Sequence, residues 1–432
     1  MSYRKWKMQN GLWVICQEMP HTPLVAITIH SKGGSSVENP NEIGLAHFVE
    51  HMAFKGSEKY QNEDQISGLI EQEGAEINAF TSHDRICFYI YTQANVELMF
   101  DILANAALRP IFREEDIDVE RGPVLQEISE SMDNPDDMFA KFAGKMLWGE
   151  HPYGGDILGT KAQVSSFGRT NFLDYYGKCF VPQNMALGVT GGIQSEKVFD
   201  LAFKYFCDGW EAGGERIKMP AVDYLYRPES KVSLLHKDFE QVKCLLGVPP
   251  QAWLSYAQDG EKERIATTLL ANILGGGMSS RLFKKVRSQH GLVYYIGAGL
   301  NIFENAGTFC VYFGADQDNL PCALALIFSE INDILKNGIT AEELAKVKNR
   351  QKTAYAQMLE TPLGFAIFRG EAELHGTENI SVEDFFKLRV DPIGVSDIMD
   401  VAKRLLQKEN FYLAAMGKVG DHSKELEDLL GA

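Results

Sequence analysis

The densest chemistry in the chain lies in one short run, His47-Phe48-Val49-Glu50-His51. Two imidazoles four residues apart fall one turn apart on the same face of a helix. There they can converge on one cation, each nitrogen at about 2.0–2.1 Å. Glu50, three residues after His47, shares that face and can reach a water beside the cation without ligating the cation itself. The bland alternative is a solvated helix face that happens to carry two histidines and an acid. Phe48, Val49, Met52, Ala53 and Phe54 argue against it, because they mark a mostly buried helix. Buried His and Glu need partners, and a metal ion is such a partner.

The order H-x-x-E-H inverts the H-E-x-x-H of one large class of zinc sites. A catalytic zinc takes three protein ligands and keeps a fourth position open. The third ligand is sought among the acids of Asp118-Val119-Glu120-Arg121-Gly122-Pro123-Val124-Leu125-Gln126-Glu127-Ile128-Ser129-Glu130. Glu120 and Glu127 are two helical turns apart, and Glu130 follows Glu127 by three. Spacing alone leaves the choice among them open. Pro123 should kink a helix there, which loosens the placement of Glu120 relative to Glu127. His151-Pro152-Tyr153-Gly154 reads as a structural turn rather than a second ligand source.

The positioning elements follow from local pattern. GLAHFVEHMAFKG reads as a helix, capped upstream by Asn39-Pro40-Asn41-Glu42 with the proline at its first position, and stopped by Gly56. Strand-like runs such as PLVAITIHS and RICFYIYT alternate with helices, and residues 78–92 suggest an antiparallel pair. The same succession of strand, helix, helix, strand and helix recurs after residue 240. The expected fold class is α+β, with two homologous halves, each a mostly antiparallel sheet covered by helices. The halves span 1–212 and 230–432, joined by a Gly- and Pro-containing linker at 213–229. In that register Thr267, Leu270, Ala271 and Ala354 stand where the first half has His47, Glu50, His51 and Glu127. Only one copy is equipped to hold a metal.

Composition narrows the setting. The chain has 432 residues, 45% of them hydrophobic and 23% charged, enough for large cores without disulfides. A net charge of −17 makes it a poor general binder of nucleic acid or anionic membrane. Seven scattered cysteines form no C-x-x-C pair, as expected of free thiols in a reducing compartment. No stretch approaches the ~18 apolar residues of a membrane span. The N-terminal run from Leu12 to Cys16 is too short for a secretion signal. A cytoplasmic location is expected.

The motifs GLAHFVEHMAFKGS, GAEINAFTS, ERGPVLQEI, HPYG and GGGMSSRLFKKVRSQHGLVYYIGA together resemble the pitrilysin, insulysin and mitochondrial processing peptidase family of inverzincins. The resemblance covers nearly the whole chain and is closest to short bacterial members similar to the processing peptidase β subunit. It implies that His47, His51 and Glu127 hold one Zn2+ per chain, that Glu50 is the general base and that Glu120 is a supporting acid. It implies that Asn78 and Ala79 lie on the edge strand that takes the substrate backbone. It also implies that Arg287 and Tyr294 of the second half contact the substrate carbonyl. The activity implied is hydrolysis of extended peptides inside a closed clamshell, by a homodimer or by a heterodimer with a related subunit. The competing expectation is a non-catalytic structural or presenting subunit of such an assembly.

Overall fold

Apolar strands at regular intervals build two sheets, seen in the computed structural model, which describes residues 3–210, 213–256, 260–378, 380–420 and 422–431. The first sheet contains β1 (Tyr3–Lys7), β2 (Trp13–Glu18), β3 (Val25–Lys32), β4 (Glu76–Thr81), β5 (Arg85–Thr92) and β6 (Met185–Gly191). Their order is β1-β2-β6-β3-β5-β4, and every pairing is antiparallel except β2 with β6. β4 and β5 form the expected antiparallel pair, with Asn78 opposite Tyr89 and Thr81 opposite Ile86. β4 has no neighbour on its other side within this sheet.

The second sheet contains β7 (Val232–His236), β8 (Val242–Gln251), β9 (Val293–Ile302), β10 (Gly307–Ala315) and β11 (Tyr412–Gly417), ordered β7-β11-β8-β10-β9. Only β7 and β11 run parallel. With β1 set aside, the two sheets have one topology, strand for strand in chain order, including the position of the single parallel pair. The α+β class and the sheet-with-helices build of each half are as the sequence indicates.

The chain nevertheless does not divide at the linker into two contiguous bodies. One compact unit comprises 1–134, 155–220 and 355–381; the other comprises 135–154, 221–354 and 382–432. Each sequence half therefore lends a helical segment to the other unit. The physical reason is that the central strands are buried on both faces. All eight residues of β3 are buried, and so are all seven of β6. Such strands need cover on both faces. The helix α3 (Val96–Leu108) lies against β3 and β5, and the helix Pro362–Leu374 lies against β2, β3 and β6. In the second unit, the helix Pro135–Trp148 packs on β8 and β11 through Ala143, Met146, Leu147 and Trp148. The segment His151–Gly154 is the structural turn expected: the Tyr153 ring stacks on Phe303 with centroids 4.0 Å apart, inside that unit's core.

Among the described residues, no helix is long and apolar enough to cross a membrane. The lent helix of the first unit approaches β3 closely at Gly370. A Cβ there would stand 2.3 Å from the ring of His30, which is fully buried and cannot swing aside. Gly370→Ala is therefore expected to lower unfolding free energy by about 1–3 kcal/mol through overpacking. Urea denaturation would show it as a lower midpoint with little change in slope.

Candidate metal site

The helix α1 (Leu45–Met52) packs on α4 (Glu114–Asp133), and the functional side chains face each other across that contact. Leu45, Ala46, Phe48, Val49 and Met52 fill the core side of α1. His47, Glu50 and His51 are left half-buried on the adjoining face. The cap differs from the sequence expectation. Residues 39–42 form a turn outside the helix, and Gly44 stands at the N-cap with φ +98°. The free amides are instead met by Glu38, whose carboxylate accepts from Gly44 N at 3.2 Å and from Ala46 N at 2.6 Å. Burial pushes the Glu38 carboxyl up to about 8 against the pull of those amides. The helix itself ends at Met52, ahead of Gly56.

Pro123 does not scatter the acids of α4, which runs through it as one helix of 20 residues. Proline deprives the carbonyl four residues back of its partner. That residue is Val119, which is 75% exposed, so the vacant carbonyl belongs to a water-facing position. Glu120 and Glu127 thus keep a common face beside buried Ile117, Val124 and Ile128. Glu130 points elsewhere, accepting from Gln126 at the surface.

Three atoms converge. His47 Nε2 lies 3.3 Å from His51 Nε2, His47 Nε2 lies 3.3 Å from Glu127 Oε2, and His51 Nε2 lies 3.5 Å from Glu127 Oε2. Among the described residues this is the group of His, Cys, Asp and Glu spaced to hold a metal ion. A tetrahedral ion bonded at about 2.0–2.1 Å separates its ligand atoms by about 3.3–3.4 Å, so the triangle has the edge lengths of one tetrahedral face. Two imidazole nitrogens and one carboxylate oxygen are also a donor set suited to zinc.

Burial and hydrogen bonding set the state of the two imidazoles. Burial and the neighbouring His51 push the His47 imidazole down to about 4, keeping it neutral. His51 Nδ1–H donates to Glu120 Oε1 at 2.9 Å, which leaves its Nε2 as the acceptor. Burial works to lower the His51 pKa, but the Glu120 hydrogen bond and the charges of Glu127, Glu50 and Glu120 outweigh it and raise it. Burial works in the opposite sense on Glu120, and its hydrogen bonds from His51 and Lys55 outweigh that and lower it. His47 Nδ1 is buried with no hydrogen-bond partner among the described residues. Glu127 is the open edge of the site, with its side chain 43% exposed.

Glu50 stands beside the triangle rather than in it. Its Oε2 accepts from the Thr81 hydroxyl at the end of β4. Burial raises its pKa, and the Thr81 hydrogen bond and His51 draw it part of the way back. Asn78 and Ala79 lie on the same strand β4, the sheet edge, where the Ala79 amide donates to Asn78 Oδ1 at 2.7 Å. The first unit therefore brings together His47, Glu50, His51, Glu120 and Glu127, and ties the edge strand to them through Thr81. Arg287 and Tyr294 belong to the other unit. Both are exposed, Arg287 over the ring of Phe283 and Tyr294 donating its hydroxyl to Asp316 Oδ1 at 2.8 Å.

Three residues escaped the sequence reading: Glu38, Lys55 and Thr81. Lys55 and Thr81 lie inside the motifs GLAHFVEHMAFKGS and GAEINAFTS; Lys55 follows His51 by four residues, a spacing that could have singled it out, whereas Thr81 has no periodic relation to the histidines.

Residues 13–161 match the model of the insulinase family (peptidase family M16), and residues 166–351 match that of the peptidase M16 inactive domain. An "uncharacterized zinc protease" of Rickettsia bellii is 31% identical over 410 residues, which is 92% of this chain and 94% of that one. The chain belongs to the M16 peptidase family. Another relative, also named an uncharacterized zinc protease, is that of Bacillus subtilis, 27% identical over 97% of this chain and 99% of its own. Among solved structures, an M16 inactive domain from Pseudomonas fluorescens superposes with a TM-score of 0.86 at 18% identity, covering 96% of this chain and 98% of that one. A Helicobacter pylori protease gives 0.82 at 20% identity, covering 96% and 99%. The periplasmic protease PqqL of Escherichia coli gives 0.82 at 18%, with 99% of this chain covering 50% of that one. At these identities the likeness speaks for the M16 fold.

Proposed function

We propose that this M16 chain is a zinc-dependent endopeptidase acting on extended, unfolded peptides. The observation that carries the proposal is the tetrahedral-face spacing of His47, His51 and Glu127 with the unligating carboxylate of Glu50 alongside. The names of the relatives, zinc proteases, agree with it.

His47 Nε2, His51 Nε2 and Glu127 Oε2 would hold the ion. Zinc bound there supplies hydroxide at neutral pH and Lewis acidity toward a carbonyl oxygen. Glu50 takes the proton from the attacking water and passes it to the leaving amine. Burial disfavours its charged form, and the Thr81 hydroxyl fixes one of its oxygens. β4 offers an unpaired edge for a peptide backbone, which asks little of the substrate's sequence. Entry of a substrate strand would exchange the Ala79 amide from the Asn78 side chain to a substrate carbonyl. Tyr294 and Arg287 are assigned to the substrate carbonyl. Tyr294 carries one hydroxyl proton, so it must leave Asp316 before it can donate to substrate. We place the enzyme in the cytoplasm, acting as a homodimer, with a heterodimer with a related subunit as the variant. That the chain matches half of PqqL supports a second copy completing the particle.

The second reading, a non-catalytic subunit, is favoured by one observation: a neighbour from Pseudomonas fluorescens, 98% of which this chain covers, is called a peptidase M16 inactive domain. Filled ligand and base positions in this chain weigh against it.

A quenched fluorescent peptide separates the two readings. Hydrolysis should stop on chelation and return with added zinc, and Glu50→Gln should retain zinc while losing on the order of 10²–10⁴-fold in kcat. Activity that is absent, or indifferent to chelation and to Glu50→Gln, would favour the non-catalytic reading. Thr81→Val removes the hydrogen bond that favours the ionised Glu50, so the Glu50 pKa should rise further. The base must be ionised to act, so the acid limb of the kcat/KM profile should move to higher pH; an unmoved limb would remove Thr81 from the mechanism. Light scattering on the native particle should return the mass of two chains.

A further inference from the structure

We propose that Lys55 is a positioning residue for the zinc-binding imidazole of His51, acting through Glu120; this rests on the zinc-site reading above. Lys55 Nζ lies 2.7 Å from Glu120 Oε2 and 2.5 Å from Glu63 Oε2. The other oxygen of Glu120 accepts from His51 Nδ1 at 2.9 Å. The result is a row of four groups, Glu63, Lys55, Glu120 and His51, in which Lys55 Nζ meets both acids and Glu120 uses a separate oxygen for each neighbour.

The geometry gives the row a purpose. A carboxylate held by one oxygen can turn about its terminal bond. Glu120, whose side chain is only 9% exposed, is held by both, so its plane is fixed. A fixed Oε1 fixes the His51 ring, and the ring fixes where the Nε2 lone pair points. Such outer partners orient metal-binding histidines and raise their basicity. His47 has no counterpart, since its Nδ1 meets no partner among the described residues. Among the described residues the orienting support therefore falls on His51, and the lysine anchors it. Lys55 is suited to this because it sits just beyond the end of α1, while Glu63 opens the helix Glu63–Gln72 and Glu120 lies on α4. The rival role for Lys55 is to brace those three helices, with no effect on metal beyond keeping the fold.

Zinc affinity of the full-length chain, measured by competition with a chromophoric chelator, separates these roles. Lys55→Met should weaken zinc binding by about 10-fold, and Lys55→Arg, which can reach both carboxylates, should recover most of it. In a Glu120→Ala background, Lys55→Met should cost nothing further, because the route to His51 is already cut. Unchanged affinity in Lys55→Met, or the same loss with and without Glu120, would overturn the proposal. Thermal unfolding of the zinc-free proteins is run alongside. If Lys55→Met fails to fold, Glu63→Gln takes its place: it loosens the far end of the lysine and should weaken zinc binding only while Glu120 is present. A wild-type chain that binds no zinc would overturn the functional reading itself; a wild-type chain that binds zinc regardless of Lys55 would overturn this inference alone.

Discussion

Two imidazole nitrogens and a carboxylate oxygen, held 3.3–3.5 Å from one another, are the constraint around which the first unit is arranged. Three lone pairs directed at one point repel unless a cation stands among them, so the fold must oppose their separation. It does so with rigid parts. α1 and α4 are clamped by core packing. The start of α1 is tied down by the buried carboxylate of Glu38, and His51 is bonded to the side chain of Glu120 on α4. A site held open this way costs stability when empty and returns it on binding, since ligand binding to the native state stabilises that state.

The same logic accounts for what sits just outside the triangle. Glu50 is three residues from one ligand and one from another, yet it is turned toward Thr81 on the edge strand. The proposed base and the strand proposed to take substrate are thereby joined by one hydrogen bond. Burial sets the protonation preferences in opposite senses for neighbouring groups: His47 is driven toward neutrality and Glu50 toward the protonated acid. Groups so divided suit a site in which some atoms hold a cation and one carries a proton.

Much of this was legible in the sequence, and the legible parts have a common character. The α1 face, the pairing of 78–92 and the α+β build rest on local periodicity, which one short window can express. Glu120 and Glu127 shared a stripe on paper, and Pro123 spoiled it less than expected because its lost hydrogen bond falls at an exposed turn. What could not be read depends on side-chain contacts that no local periodicity encodes. The cap on α1 comes from Glu38, six and eight residues upstream of the amides it meets, in place of the adjacent Asn39–Glu42 turn. Lys55 gains its meaning only from Glu63 and Glu120. The lending of 135–154 and 355–381 between units leaves no local mark, since an amphipathic helix looks the same whichever sheet it covers.

That exchange bears on how the chain is made. Synthesis runs from the N-terminus, and domains tend to fold as they emerge. Here β3 and β6 can be translated, paired and bonded long before the helix Pro362–Leu374 that covers them exists. Until the ribosome passes residue 374, the half-built sheet must keep an oily face out of contact with other nascent chains. The unit that carries His47, His51 and Glu127 is thus among the first parts of the polypeptide to be written and among the last to be finished.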